Sequence, residues 1–294
     1  MQADRRTIMT ASTILSAAAL AGVPVSGDAQ ARGVPANFDL KDVDFNLRAL
    51  SRLQGGMDER VSYGFQRGHV FGIINGRGLP LDQYGRKLYG YEGGSVRKAR
   101  VLPDGSVQTV SRGWLFYTDA ETGDYMTEFT NPYSNEKVVV PIFRAGISGG
   151  TLTRAGPTTS ATFTMESTVY NKPTQLEYSF LGDRAIVSRY AFTRWQPRAE
   201  PNKRTEMTID VWDCAIRDLF NSRNTGIGRT SSWTSQTEFQ TWLKMPETVL
   251  GHQIWKADGS RVNAIADLPE RFVARCMADP GTAKALTDPL VFPA

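Results

Sequence analysis

The stretch Arg112–Phe143, RGWLFYTDAETGDYMTEFTNPYSNEKVVVPIF, limits the possible folds more than any other part of the chain. Trp114, Phe116 and Thr118 alternate with Leu115 and Tyr117, the period-two pattern of a pleated strand. Asp119–Gly123 then turns the chain, with Gly123 free to take φ > 0. Tyr125, Thr127 and Phe129 share one face of the next strand, Asn131–Asn135 turns it again, and Val138–Val140 begin a third. Short local turns join antiparallel neighbours, so a β-meander is expected here.

The same grammar extends to both sides. A helix is expected over Asp44–Leu53, with Leu47, Leu50 and Leu53 at helical spacing, Asp44 as N-cap and Gly55-Gly56 as stop. Strand candidates follow at Val61–Gln66, Gly68–Ile74, Lys87–Glu92, Ser95–Leu102 and Ser106–Ser111, with turn signals at Asn75-Gly76 and Pro103-Asp104-Gly105. Arg144–Gly150 reads as a glycine-rich crossing loop. Further strands are expected at Ala161–Tyr170, Gln175–Leu181, Arg184–Trp195 and Lys203–Val211. About eleven strand candidates without intervening helices predict a mainly β fold, an antiparallel barrel with a lipocalin-like interior or else a sandwich. From Asp213 the character changes: Asp213–Phe220 and a segment from Asp267 or Pro269 to Met277 read as helices of a small annex over about 213–294.

The N-terminus reads as an export signal. Arg5-Arg6 precede an apolar run from Ile14 to Val25, and Ala29-Gln30-Ala31 supplies a cleavage site after Ala31. The apolar run is short of the about 20 residues that span a bilayer, so a stable membrane anchor is not expected. The twin-arginine export machinery and signal peptidase are the implied partners, the periplasm the implied location, and residues 32–294 the single mature domain. The net charge of +4 is spread along the chain with no Lys/Arg cluster among aromatics, so nucleic acid is not an expected partner. Cys214 and Cys276 fall in apolar, helical-looking stretches and are expected to stay reduced and buried.

The segments NLRALSRLQGG, YGYEGGS, LPDGS, YTDAETGDYMTEFTNPYSNE, SSWTSQTEFQTWLKMP and DLPERF occur in this order. Together they resemble a bacterial family known as domain of unknown function 1838, from about Phe38 to Ala283. The resemblance implies an exported protein and brings no activity or catalytic residue with it. Asn135 stands where the family pattern has Gly, and Asn also tolerates the left-handed conformation.

Motifs for cofactors are missing: no GxGxxG follows a strand, and there is no Walker loop and no GxSxG elbow. With two histidines and no HxxxH or CxxC spacing, neither a metal nor any other cofactor is expected. Strand parity supplies the candidates instead. His69 shares a face with Phe71 and Ile73, and Glu92 ends a strand against two glycines; both are candidate catalytic acids or bases. Arg189 shares a face with Ala185, Val187 and Ala191, where a buried guanidinium needs a carboxylate or a ligand anion. Tyr89, Tyr91, Trp114, Phe116 and Tyr117 are candidate walls of a substrate pocket. The expected function is a cofactor-independent periplasmic enzyme, of lyase or isomerase type, acting on an aromatic or other hydrophobic small molecule. The alternative is a lipocalin-like carrier without chemistry. Convergence of His, Glu, Arg and Tyr on one cavity distinguishes the first from the second.

Overall fold

The computed structural model describes residues 33–35, 38–74, 85–154, 156–159, 165–169, 176–197 and 204–292. The expected export signal, the Asn75-Gly76 turn and the first residues of the Ala161–Tyr170 strand lie outside these. After a single helix, α1 (Val43–Gln54), the chain forms β1 (Ser62–Ile74), β2 (Gly85–Val101), β3 (Val107–Thr118), β4 (Glu128–Thr130), β5 (Lys137–Val139), β6 (Phe143–Thr153) and β7 (Gly156–Thr159). The second half contributes β8 (Met165–Val169), β9 (Glu177–Leu181), β10 (Arg184–Pro197), β11 (Arg204–Ala215), β12 (Arg229–Thr237) and β13 (Gly251–Val262). Helices α2 (Ile216–Phe220), α3 (Glu270–Met277) and α4 (Pro280–Thr287) complete it.

The protein is mainly β. An 11-stranded antiparallel sheet runs β7-β6-β3-β2-β1-β13-β12-β11-β10-β8, with β9 also on β10. The ladder between β1 and β13 is its long-range seam, pairing Tyr63 with Val262 and Ile74 with Gly251. The expected meander splits in two. Its first strand is the end of β3, whereas its other two, β4 and β5, form a separate two-stranded sheet. Asn135, in the turn between them, does take the left-handed conformation, with φ 59°. The supposed crossing loop at Arg144–Gly150 is part of β6, paired with β3 through Gly149 and Gly150. The annex also begins later than expected: β11 runs on through Cys214, and two further strands of the sheet, β12 and β13, lie in the stretch up to Val262.

One glycine pair marks a strand end in the sequence, yet the strand runs through it. Gly93 and Gly94 lie inside β2, opposite Leu115 and Trp114 of β3. The sheet curls strongly. Val107 and Leu152, on β3 and β6, share one buried cluster with Val187 and Trp212, on β10 and β11, although four strands separate β3 from β11 in the ladder. Parity therefore gives β2 an inner face (Tyr89, Tyr91, Gly93, Ser95, Arg97, Ala99) and an outer face (Gly90, Glu92, Gly94, Val96).

Both ends of the interior are plugged. At one end α1 buries Leu47, Leu50 and Leu53, each worth about 1.5–3 kcal/mol when taken fully out of water. Asp42, rather than Asp44, caps this helix, accepting from the Asp44 backbone N–H at 2.9 Å. Fully buried Asn46 ties α1 to the wall, donating to Leu40 O and Asp42 O and accepting from Leu176 N and Tyr178 Oη. At the other end β4, β5 and a 3-10 turn at Thr241–Leu243 supply Phe129, Val140, Trp242 and Leu243. On the outer face, α3 and α4 cover β1–β3 through Phe272, Cys276 and Leu286. A bulge at Ser111/Gly113 lets Arg112 reach the end of α4, where its Nε donates to Ala285 O at 2.5 Å.

Candidate functional site

The hollow between the two plugs consists of adjoining halves of about 350 and 530 Å3, each partly open to solvent, that share Gln66, Leu115, Phe143 and Trp233 as walls. Both fall in the size range of small-molecule sites, which start near 300 Å3. Their chemistry differs.

The larger half is aromatic. Tyr91 of β2, Tyr117 of β3, Trp233 of β12, Trp242 of the 3-10 turn and Trp255 of β13 line it. The rings hold one another: Tyr91 meets Trp255 edge-on at 4.9 Å, and Tyr117 lies tilted against Trp242 at 4.9 Å. Tyr117 accepts a hydrogen bond from Trp242 Nε1 at 3.2 Å, and burial pushes its hydroxyl up to about 12. Burial raises Tyr91 still further, and both its hydroxyl and Trp255 Nε1 are buried without a partner among the described residues. Glu206 is the carboxylate of this half; its Oε1 accepts from Thr208 Oγ1 at 3.0 Å and from Ser235 Oγ at 2.5 Å.

The smaller half is cationic. Arg97, Arg229 and Arg261 line it together with Asp210, Ser95 and Ser231. Burial, then the neighbouring Arg189 and Arg229, pull the Arg97 guanidinium down to about 10. Burial takes Arg229 down to about 10 as well, and burial with Arg97 and Arg229 lowers Arg261. Values near 10 leave Arg97 and Arg229 charged at neutral pH.

The residues expected from sequence divide between the two faces. Tyr91 and Tyr117 stand on the cavity wall. Tyr89 shares their face but is completely buried in the core behind it, donating to Gln253 Oε1 at 3.2 Å. Arg189 is on the inner face as expected and is held in an ion pair: its Nε meets Asp210 Oδ2 at 2.9 Å, and its guanidinium lies 6.0 Å over Trp212. His69 and Glu92 do not join them. His69 is exposed on the outer face, opposite Gly90 and Lys256, because its apolar face-mates Phe71 and Ile73 are themselves only half-buried. Glu92 is buried on the outer face, where its Oε1 accepts from Arg67 Nε at 2.9 Å and its Oε2 from the Tyr125 hydroxyl. Trp114, which borders the smaller half, and Phe116 turn their side chains outward as well. The Trp114 indole stacks on Phe272 and donates to Cys276 Sγ at 3.2 Å, and Phe116 lies under the Arg275 guanidinium at 4.8 Å.

Sequence reasoning missed Arg97, Arg229, Arg261, Glu206 and the three tryptophans of the wall. A signal was present, since Gly93-Ser95-Arg97-Ala99 and Ala257-Gly259-Arg261 repeat the arginine-among-small-residues pattern noticed at Arg189.

Residues 61–280 match the family described as "Protein of unknown function (DUF1838)". The chain belongs to that family. The matched stretch runs from the foot of β1 to the first residue of α4, so every arginine and aromatic of the cavity is family territory while α1 precedes it. No curated protein and no solved structure matches the chain. Among the described residues no group of three His, Cys, Asp or Glu side chains is placed to hold a metal ion, and no helix is long and apolar enough to cross a membrane.

Proposed function

We propose that this DUF1838 member is an exported, periplasmic protein that binds one hydrophobic or aromatic small molecule inside a sheet curled into a lipocalin-like barrel. Export is supported by Arg5-Arg6 and Ala29-Gln30-Ala31. The observation that carries the binding reading is the aromatic half of the cavity, with six aromatic side chains around about 530 Å3 and two buried polar atoms, Tyr91 Oη and Trp255 Nε1, left for a ligand to satisfy. Carriage leads over catalysis because His69 and Glu92, the expected proton movers, stand on the other face.

A second reading keeps the lyase or isomerase chemistry and moves it to Glu206. A carboxylate oriented by two hydroxyls, lining the same half as a protonated tyrosine, suits Glu206 as a base that takes a proton from one position of the ligand and returns it to another, with the Tyr91 hydroxyl donating a hydrogen bond.

The test uses the neutral fluorophore N-phenyl-1-naphthylamine on the purified chain. Saturable one-to-one binding is expected, weakened about tenfold by Trp233→Ala, which removes a wall of both halves. Absence of saturable binding overturns the reading. A ligand that co-purifies and changes mass on incubation, but not in Glu206→Gln, decides for the enzyme; an unchanged mass in both leaves the carrier.

A further inference from the structure

The cationic half of the cavity carries more positive charge than its own walls neutralise. Arg97 enters from β2, Arg229 from the start of β12 and Arg261 from β13. Arg189 stands beside them on β10 but already has Asp210. Asp210 is the one carboxylate lining this half among the described residues, so four guanidiniums face one acid and three positive charges are in surplus. Arg261 has only neutral acceptors, Ser62 O at 3.4 Å, Ser62 Oγ at 3.2 Å and Ser95 Oγ at 3.3 Å. The Nε atoms of Arg97 and Arg229 are buried and have no partner among the described residues.

One internal feature offsets part of this charge. The C-terminal end of α1 rests on the cluster, so closely that a Cβ on Gly55 would lie 2.7 Å from Ser62 Oγ and 3.3 Å from Arg97 Cδ. Gly55 also has φ 148°, which a side chain rarely tolerates. A helix C-terminus carries about half a negative charge, a fraction of what three guanidiniums require. Buried, unpaired charges are costly, and a fold retains them where a counter-charge arrives from outside.

Resting on the small-molecule reading above, we infer that Arg97, Arg229 and Arg261 form an anion subsite. It takes the oxyanion end, a carboxylate, phosphate or sulfonate, of a ligand whose apolar body fills the aromatic half. The shared walls Gln66 and Trp233 join the two halves, so one elongated molecule occupies both. Guanidinium forks suit the task because they meet an oxyanion with paired hydrogen bonds and keep their charge. The ligand is thus an amphipathic anion rather than a neutral hydrophobe.

Two fluorophores with one body test this. 8-Anilinonaphthalene-1-sulfonate carries a sulfonate that N-phenyl-1-naphthylamine lacks. The purified chain is expected to bind the sulfonate about tenfold tighter or more. Arg97→Met and Arg229→Met should each remove that preference while leaving the neutral probe's affinity alone. In the unaltered protein, inorganic sulfate should displace the anionic probe and not the neutral one. The ligand-free variants should melt no lower than the parent, since each loses an unpaired buried charge. Equal affinity for the two probes, a preference that survives both substitutions, or a lower melting point with the preference intact overturns the anion subsite and leaves the cavity reading standing. Binding of neither probe overturns the cavity reading itself.

Discussion

Gly94 and Gly93 are neighbours in β2 that face opposite ways. On the outer face, a Cβ on Gly94 would lie 2.6 Å from Trp114 Cζ2 and 2.7 Å from Phe272 Cζ, in rings that cannot yield. On the inner face, a Cβ on Gly93 would meet only the flexible end of Gln66, at 3.1 Å. Charges follow the same division. The outward carboxylate of Glu92 is satisfied by Arg67 and Tyr125, whereas the inward guanidinium of Arg97 leaves its Nε unpaired. One strand thus contributes a filled, self-satisfied surface and a hollow, unsatisfied one. The lesson is that solid packing with complete pairing marks where the fold is held, and space with missing partners marks where something else is accommodated.

The largest effect expected from this contrast comes from emptying the filled side. Phe272 is completely buried and packs on Phe65 at 5.0 Å and on Phe116 at 5.9 Å. Phe272→Ala should cost about 3–5 kcal/mol in urea unfolding, with probe affinity at saturating folded protein unchanged. A parallel loss of affinity would mean that the two faces are not independent. The glycine pair sharpens the same point at smaller scale: Gly94→Ala should cost about 1–3 kcal/mol by overpacking, and Gly93→Ala should stay within about 0.5 kcal/mol while narrowing the cavity. Equal costs would erase the distinction.

The smallest effect concerns pH at the outer helices. Arg144 meets both Asp279 oxygens at 2.6 Å, and Thr282 N donates to Asp279 Oδ2 at 2.8 Å at the head of α4. The hydrogen bond from Arg144, followed by that from Thr282, holds this carboxyl below its ordinary 3.8. The folded state therefore gives up the proton more readily than the unfolded chain. Its contribution is present above the ordinary carboxylate range and is lost as pH falls through the lowered value. With Arg144 42% exposed the contribution stays under about 1 kcal/mol. Asp279→Asn should be slightly less stable than the parent at pH 6 and equal to it near pH 2 by thermal melts. A gap that persists at low pH would assign the effect to packing instead.

Much of the fold was legible because it is written locally. Alternation announced β1, β3 and β10, and the spacing of Leu47, Leu50 and Leu53 announced α1. Glycine misled where its role is tertiary. Gly93-Gly94 reads as a strand end, yet both lie inside β2, where a Cβ on Gly94 would fall 2.6 Å from Trp114 Cζ2 on the neighbouring strand. Two of the pocket tyrosines and the face of Arg189 were readable from parity. That Arg189 would find Asp210 was not, since Asp210 belongs to another strand. The arginine cluster was hidden for the same reason, with Arg97, Arg229 and Arg261 brought together only by the seam between β1 and β13 and the curl of the sheet.

Cys214 and Cys276 illustrate what a single curled sheet does for its own chemistry. Cys214 is buried inside, in the cluster that receives α1, and Cys276 is buried outside, beneath α3. Burial pushes both thiols up to about 11, so at neutral pH neither offers an appreciable thiolate to an oxidant. The sheet acts as a partition between the two sulfurs. No disulfide therefore staples the outer helices to the sheet, and their hold on it rests on packing and hydrogen bonds.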